Sequence, residues 1–260
     1  MINNGSTAPL LHAEGLVKAF GGLLAISDLS FSIYPGEILA MIGPNGAGKT
    51  TVFNVLTASY RPTAGSIVFD GHDLVKLPAH AITRLGLVRT FQNIRLFPNM
   101  TALENVEVGR YIRTRSGMMA ALARLPQTRR EEREIERSAI EALEFVGIAD
   151  RADELAKSLP YGEQKLLEIA RAIATEPRML LLDEPAAGLN STESADLVKL
   201  VRRIRSDGVT ILLIEHDMKV VMDISERIIV LDHGEMIAEG TPAEIQSNQQ
   251  VIEAYLGKAV

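Results

Sequence analysis

From Leu10 to Ile33, apolar and polar residues alternate around the pair Gly21-Gly22. A period of two puts the two classes on opposite faces of a strand, and a glycine pair marks a turn, so this segment is predicted to be an antiparallel hairpin. Glu37–Ile42 reads as a short apolar strand, followed by a glycine-rich turn and a helix from Lys49 to about Thr57. Ser66–Phe69 and Gly86–Phe91 read as further strands. The period changes between Thr101 and Leu155. Ile135, Ala139, Ala142, Leu143 and Val146 recur at i, i+4, i+7, i+8 and i+11, one face of an amphipathic helix, and Arg129, Arg130, Glu131, Glu132, Arg133, Glu134 and Arg137 occupy the other. This stretch is predicted to be a helical insert in an α/β core. Beyond it strands and helices alternate again. Met179–Leu182 and Val209–Ile214 are continuously apolar, as expected of parallel strands covered on both faces. Leu197, Leu200, Val201 and Ile204 mark the helix between them. Arg227–Leu231 pairs with Glu235–Glu239 across His233-Gly234, and a helical tail closes the chain.

The predicted fold is therefore α/β, one unit over residues 1–260. Residues 10–92 and 165–240 form the core with its N-terminal antiparallel strands, 93–164 the helical subdomain, and 241–260 the tail. Composition narrows the function. Hydrophobic residues make up 47% of the chain, which suits a packed core. The net charge of −6 disfavours a generally basic nucleic-acid binder, and no nucleic-acid partner is expected. The absence of cysteine excludes thiol catalysis, disulfides and thiolate zinc sites. The N-terminus lacks a basic region ahead of an apolar stretch, so no secretory signal is expected. Apolar runs such as Met179–Leu182 and Ile211–Ile214 fall far short of the roughly 20 residues that span a bilayer. A soluble chain is predicted, and a membrane role would require docking onto other subunits.

Two motifs carry chemistry. Gly43-Pro44-Asn45-Gly46-Ala47-Gly48-Lys49-Thr50 fits G-x-x-x-x-G-K-[ST], with Thr51 following. Glycines let successive backbone N–H groups point inward at phosphate oxygens, and the following helix N-terminus adds partial positive charge. Lys49 suits the β- and γ-phosphates, and the Thr50 hydroxyl suits Mg²⁺. The second motif is the apolar run Met179–Leu182 ending in Asp183-Glu184-Pro185. At the C-terminal end of a parallel strand, Asp183 can hold Mg²⁺ and Glu184 can polarise an attacking water.

Between them lies Leu159-Pro160-Tyr161-Gly162-Glu163-Gln164-Lys165, with a helical run predicted from Leu166 to Ala174. This resembles the LSGGQ-like signature of ABC ATPases, and with its flanking motifs the chain is identified as resembling that family over about Leu10 to Leu256. The resemblance implies a P-loop ABC ATPase core with ATP and Mg²⁺ as cofactors. Phe20 then sits at the adenine-stacking position, and Gln92 at the glutamine that senses Mg²⁺ and the transmembrane subunits. His216 resembles the switch histidine at the γ-phosphate, while Tyr161, Gly162 and Glu163 would face nucleotide held by a partner subunit. Ala187-Gly188-Leu189-Asn190 resembles the D-loop, with Asn190 where Asp is more usual. Pro160 replaces the usual serine and Tyr161 the first glycine, so that half-site is expected to be less effective or to rely on backbone contacts.

Softer features narrow the subgroup. The Leu-x-Tyr-Gly-x-Gln signature, Glu184–Asn190, the Arg-rich stretch Arg110–Arg137, and Gly240–Ile245 followed by Val251–Leu256 resemble the ATP-binding subunits of branched-chain amino acid importers. Such a subunit pairs with a second, identical or paralogous ATPase in a head-to-tail dimer. It serves two permease subunits and, indirectly, a periplasmic binding protein, and sits peripherally on the cytoplasmic side of the inner membrane. A lipopolysaccharide exporter or an amide or urea importer ATPase is the alternative. The Arg-rich stretch has eight arginines (Arg110, Arg113, Arg115, Arg124, Arg129, Arg130, Arg133, Arg137) against four glutamates. It reads either as a solvated face with i, i+4 pairs or as a contact for permease loops or anionic lipid.

Overall fold

The computed structural model describes residues 8–113 and 126–256. Its first sheet is antiparallel: β1 (Leu11–Phe20), β2 (Leu23–Ile33), β4 (Ala64–Phe69) and β5 (His72–Asp73), in the order β2-β1-β4-β5. The hairpin turns at Gly21-Gly22, as the alternation requires, and its register slips around Gly15 and Lys18 bend it.

The second sheet contains β3 (Ile38–Ile42), β6 (Leu87–Arg89), β7 (Met179–Asp183), β8 (Thr210–Ile214), β9 (Arg227–Asp232) and β10 (Glu235–Gly240), in the order β10-β9-β3-β8-β7-β6. All pairs are parallel except β9 with β10, which turn back at His233-Gly234. Every residue of β3, β7 and β8 is buried, because helices cover one face and the first sheet with its helix covers the other. The order matters for function. The C-terminal ends of β3, β8, β7 and β6 lie side by side, where open parallel sheets bind ligands.

Helix α1 (Lys49–Leu56) follows β3, and α2 (Ala79–Leu85) precedes β6. A helical layer is formed by α3 (Ala102–Arg110), α4 (Pro126–Val146) and α5 (Tyr161–Ile173), packed against one another. Thr101 caps α3 through a reciprocal box with Glu104. The predicted α4 stripe of Ile135, Ala139, Ala142, Leu143 and Val146 is buried throughout. Helices α6 (Ser191–Ser206), α7 (Met218–Ile224), α8 (Pro242–Gln246) and α9 (Gln249–Leu256) complete the described chain. Among the described residues no helix is long and apolar enough to cross a membrane.

Two expectations change. Helix α5 begins at Tyr161, not Leu166, with Pro160 in extended conformation (φ −54°, ψ 153°) as its N-cap. Proline is suited to a helix entrance, where its missing N–H costs no hydrogen bond. The signature residues are thus the helix's first turn, and a boundary at 164/165 falls inside α5. The Arg-rich stretch is also not uniform. Arg113 donates to the carbonyls of Thr175 (2.6 Å), Arg84 (3.0 Å) and Glu176 (2.9 Å), while Arg110 pairs with Glu176 at 2.6 Å. These two arginines hold the turn after α5 and are part of the fold. Arg130 and Arg137 make the i, i+4 pairs with Glu134 and Glu141 expected of a solvated face. Arg115, Arg124 and the side chain of Arg129 lie outside the described residues.

Candidate active site

The loop between β3 and α1 needs glycine for two separate reasons. Gly43 has φ +152°, and a Cβ there would lie 2.1 Å from the Leu231 carbonyl oxygen. Gly48 has φ +103°, and its Cβ would lie 2.5 Å from the Ala25 carbonyl oxygen. The loop is therefore pressed between β9 and β2, and its residues from Asn45 onward, with the start of α1, line a cleft. Lys49 is 6% exposed and donates to the carbonyls of Gly43 (2.7 Å) and Pro44 (3.0 Å). Burial holds its pKa below the ordinary lysine value, while the charges of Glu184 and Asp183 oppose the shift.

A cleft of about 470 Å³ lies over this loop, lined by Asn45 to Thr51, Glu184 and His216, with Phe20 at its outer wall. Glu184 follows β7 with a left-handed backbone, φ +50°. Its N–H donates to Ile214 O (2.8 Å), and its own carbonyl accepts from Lys165 Nζ of α5 (3.1 Å). The carboxylate is held on both sides: Oε1 accepts from His216 Nε2 at 2.8 Å, with the ring proton on that nitrogen, and Oε2 accepts from Gln92 Nε2 at 2.8 Å. Four sequence-predicted residues thus come together: Lys49, Glu184, His216 and Gln92. Asp183 lies directly beneath, 2% exposed. Its Oδ2 accepts from Arg89 at 2.6 Å, and its Oδ1 is buried without a partner. The unpartnered carboxylate oxygen at the end of β7 and the hydroxyl of Thr50, which lines the cleft, are hard-oxygen donors, and such donors fit Mg²⁺.

Phe20 is 40% exposed and meets Tyr60 edge-on, with centroids 5.2 Å apart at 79°; Lys18 Nζ lies 4.8 Å from its ring centroid. One apolar face is thereby presented at the cleft.

Tyr161, Gly162 and Glu163 do not line this cleft. The Tyr161 hydroxyl donates to Ala187 O (3.3 Å), and its ring covers Gly188 so closely that a Cβ there would be 2.8 Å from it. Glu163 Oε2 is 3.2 Å from Arg151 Nε but out of line for a hydrogen bond. Gly162 faces the carboxylate of Glu193. Asn190 caps α6, accepting from Thr192 and Glu193 N–H while Glu193 reaches back to Asn190 N–H, a role that Asn performs as well as Asp.

Several contributing residues gave no sequence signal. Glu215 is buried and accepts from the N–H of Ala186 (2.6 Å) and His216 (2.9 Å), joining the two loops that carry Glu184 and His216. Glu168 of α5 accepts from Phe91 N–H (3.3 Å) beside Gln92, and burial raises its carboxyl above the ordinary value. Leu23, Leu24, Ala25 and His233 also line the cleft. Burial likewise raises the Tyr255 hydroxyl, against the hydrogen bond it receives from Gly43 N–H, so the last helix touches the phosphate loop. Glu215 reaches Ala186, Glu168 reaches Phe91 and Tyr255 reaches Gly43, each across a long stretch of sequence.

A phosphate loop at a sheet's switch point, a strand-end acid pair, and a histidine and a glutamine on the same carboxylate together define a P-loop ATPase. An ABC transporter family model matches residues 26–187, and a model described as branched-chain amino acid ATP-binding cassette transporter matches residues 235–260. The chain belongs to the ABC transporter family, as one of its ATP-binding, ATP-hydrolysing cassettes. It is 50% identical to the high-affinity branched-chain amino acid transport ATP-binding protein BraF of Pseudomonas aeruginosa, over 96% of this chain and 99% of that protein. It is 48% identical to LivG of Escherichia coli K12, of the same description, over the same shares. A solved nucleotide-free ATP-binding cassette from an ABC transporter superposes with a TM-score of 0.85 at 32% identity, covering 96% of this chain and all of that one.

Proposed function

We propose that this chain binds and hydrolyses ATP to energise an importer of branched-chain or related amino acids. The observation that carries the reading is the convergence of Lys49, Glu184 and His216 on one phosphate-loop cleft, with Gln92 bonded to the same Glu184 carboxylate. In this reading the backbone of Gly43, Pro44, Asn45, Gly46, Ala47 and Gly48, with Thr51, cradles the phosphates, and Phe20 stacks on adenine. Lys49 neutralises the β- and γ-phosphates. Thr50 and Asp183 hold Mg²⁺, with Gln92 beside them. When bound, the metal spreads the charge that develops on the phosphates. Glu184 takes a proton from the attacking water, and His216 holds both that carboxylate and the γ-phosphate edge.

Tyr161, Gly162 and Glu163 serve the cleft of a second cassette, identical or paralogous, in a head-to-tail dimer. A solved dimeric cassette bound to ADP and Pi, 27% identical with a TM-score of 0.76, supports the dimer. Two permease subunits receive the motion through the Gln92 loop, a periplasmic binding protein delivers substrate, and the cassette lies on the cytoplasmic face of the inner membrane. The core is taken as residues 10–92 and 165–240, the helical subdomain as 93–164 and the tail as 241–260, a division that gives the first turn of α5 to the helical subdomain and the rest of that helix to the core. The substrate class rests on the names of the relatives and on the matched tail. A lipopolysaccharide export ATP-binding protein from Haemophilus influenzae is more distant, at 34% identity.

The test is uptake of radiolabelled leucine, isoleucine and valine by cells expressing this chain with its cognate permeases. Uptake that requires the intact chain and fails with Glu184→Gln is expected. Brisk ATP hydrolysis by the assembled complex, unstimulated by any of these amino acids on their binding protein, would sink the substrate reading.

A further inference from the structure

The guanidinium of Arg89, at the end of β6, is 6% exposed and lies behind Asp183. Its Nη2 donates to Asp183 Oδ2 at 2.6 Å, and its Nη1 donates to Asn54 Oδ1 at 2.7 Å. Its plane sits near two rings, 5.4 Å from the centroid of Phe53 and 5.1 Å from that of Phe91. Phe53 and Asn54 lie on α1, one turn beyond Thr50, and Phe91 adjoins Gln92. One side chain therefore touches the phosphate-loop helix, the acid at the end of β7 and the Gln92 loop. Asp183 keeps one buried oxygen, Oδ1, with no partner.

We propose that Arg89 is a positioning residue for the metal-holding carboxylate. It fixes Oδ2 and thereby presents Oδ1 to Mg²⁺. The inference rests on the reading of Asp183 as a metal holder. The opposing possibility is that Arg89 stands in the cation's place and must leave before metal binds. The geometry speaks against it: the guanidinium is held by Asn54 and by two rings independently of Asp183, and its side chain is only 6% exposed. Arginine suits the task because its rigid fork can bond two acceptors at once while its faces pack on aromatic rings.

The test compares nucleotide and metal binding in the full chain. Affinity for a fluorescent ATP analogue is measured with Mg²⁺ and with EDTA, and Mn²⁺ binding to the nucleotide complex is followed by electron paramagnetic resonance. Arg89→Met is expected to leave affinity in EDTA within about 2-fold of the parent and to weaken Mn²⁺ and Mg²⁺ binding about 10-fold or more, one to two charge-assisted hydrogen bonds' worth. Arg89→Lys should recover part of the loss. Asn54→Leu, which keeps the charge but removes its clamp, should weaken the metal several-fold, and it carries the test if Arg89→Met does not fold. Metal affinity unchanged or improved in folded Arg89→Met, or unchanged in Asn54→Leu where only that variant folds, overturns the proposal. Asp183→Asn separates the two readings. If it too leaves the metal unaffected, Asp183 is not the holder. If it abolishes metal binding while the Arg89 and Asn54 variants do not, the failure belongs to Arg89 alone.

Discussion

At the phosphate-loop cleft, side chains from adjacent strand ends meet within 2.8 Å of one another on Glu184. At the signature edge, on α5, Tyr161 and Gly162 are engaged with Ala187, Gly188 and Glu193 of their own chain. The first region is organised around one carboxylate at the floor of a cleft. The second is a helix entrance organised around its own fold, and under the proposed function it serves ATP held by a second subunit. The contrast follows from position. Parallel strand ends pool residues from across the sequence, whereas a helix start offers only N–H groups and a dipole.

That contrast can be broken by mutation. Lys49→Ala should reduce ATP affinity in the isolated chain about 10²–10³-fold, through lost charge-assisted bonds to phosphate; equilibrium binding of a fluorescent nucleotide checks it, and near-parent affinity would remove Lys49 from the site. Glu184→Gln should bind ATP normally yet hydrolyse it about 10²-fold or more slowly, the usual scale for a lost general base; single-turnover hydrolysis decides, and brisk turnover would remove Glu184 from that role. Pro160→Ser should leave nucleotide affinity of the isolated chain unchanged while raising ATPase activity of the assembled complex a few-fold, since one hydroxyl contact is worth about 1 kcal/mol. No change in the complex would show that the signature already acts through its backbone. Arg113→Ala should lower stability by about 2 kcal/mol, because the carbonyls of Arg84, Thr175 and Glu176 lose their donor; denaturant unfolding reads it, with ATP affinity unmoved. Tyr161→Phe should cost about 0.5–1 kcal/mol of stability and leave nucleotide binding by the isolated chain intact.

Local pattern revealed the hairpin, the buried strands β3, β7 and β8, the stripe on α4 and the phosphate loop, because each is a periodicity or a spacing within one segment. The start of α5 was hidden. Its first turn, Tyr161 to Gln164, carries no apolar stripe, and the proline before it resembles a break more than a beginning. Arg89, Glu215, Lys165 and Glu168 were invisible for a different reason. Each acts through a partner that only the sheet order brings near, and a lone charge in a sequence says nothing of its partner. Gln92 and His216 were placed by family resemblance, and the structure adds that both grip the same carboxylate.

The left-handed backbone of Glu184 places strain at a residue whose side chain two neighbours grip. A side chain at φ +50° carries a conformational cost of about 1 kcal/mol that glycine would not. Glu184→Gly would relieve that strain, but it would also add about 0.5–1 kcal/mol of chain freedom to the unfolded state and strip His216 and Gln92 of their shared acceptor, so no gain in stability is expected.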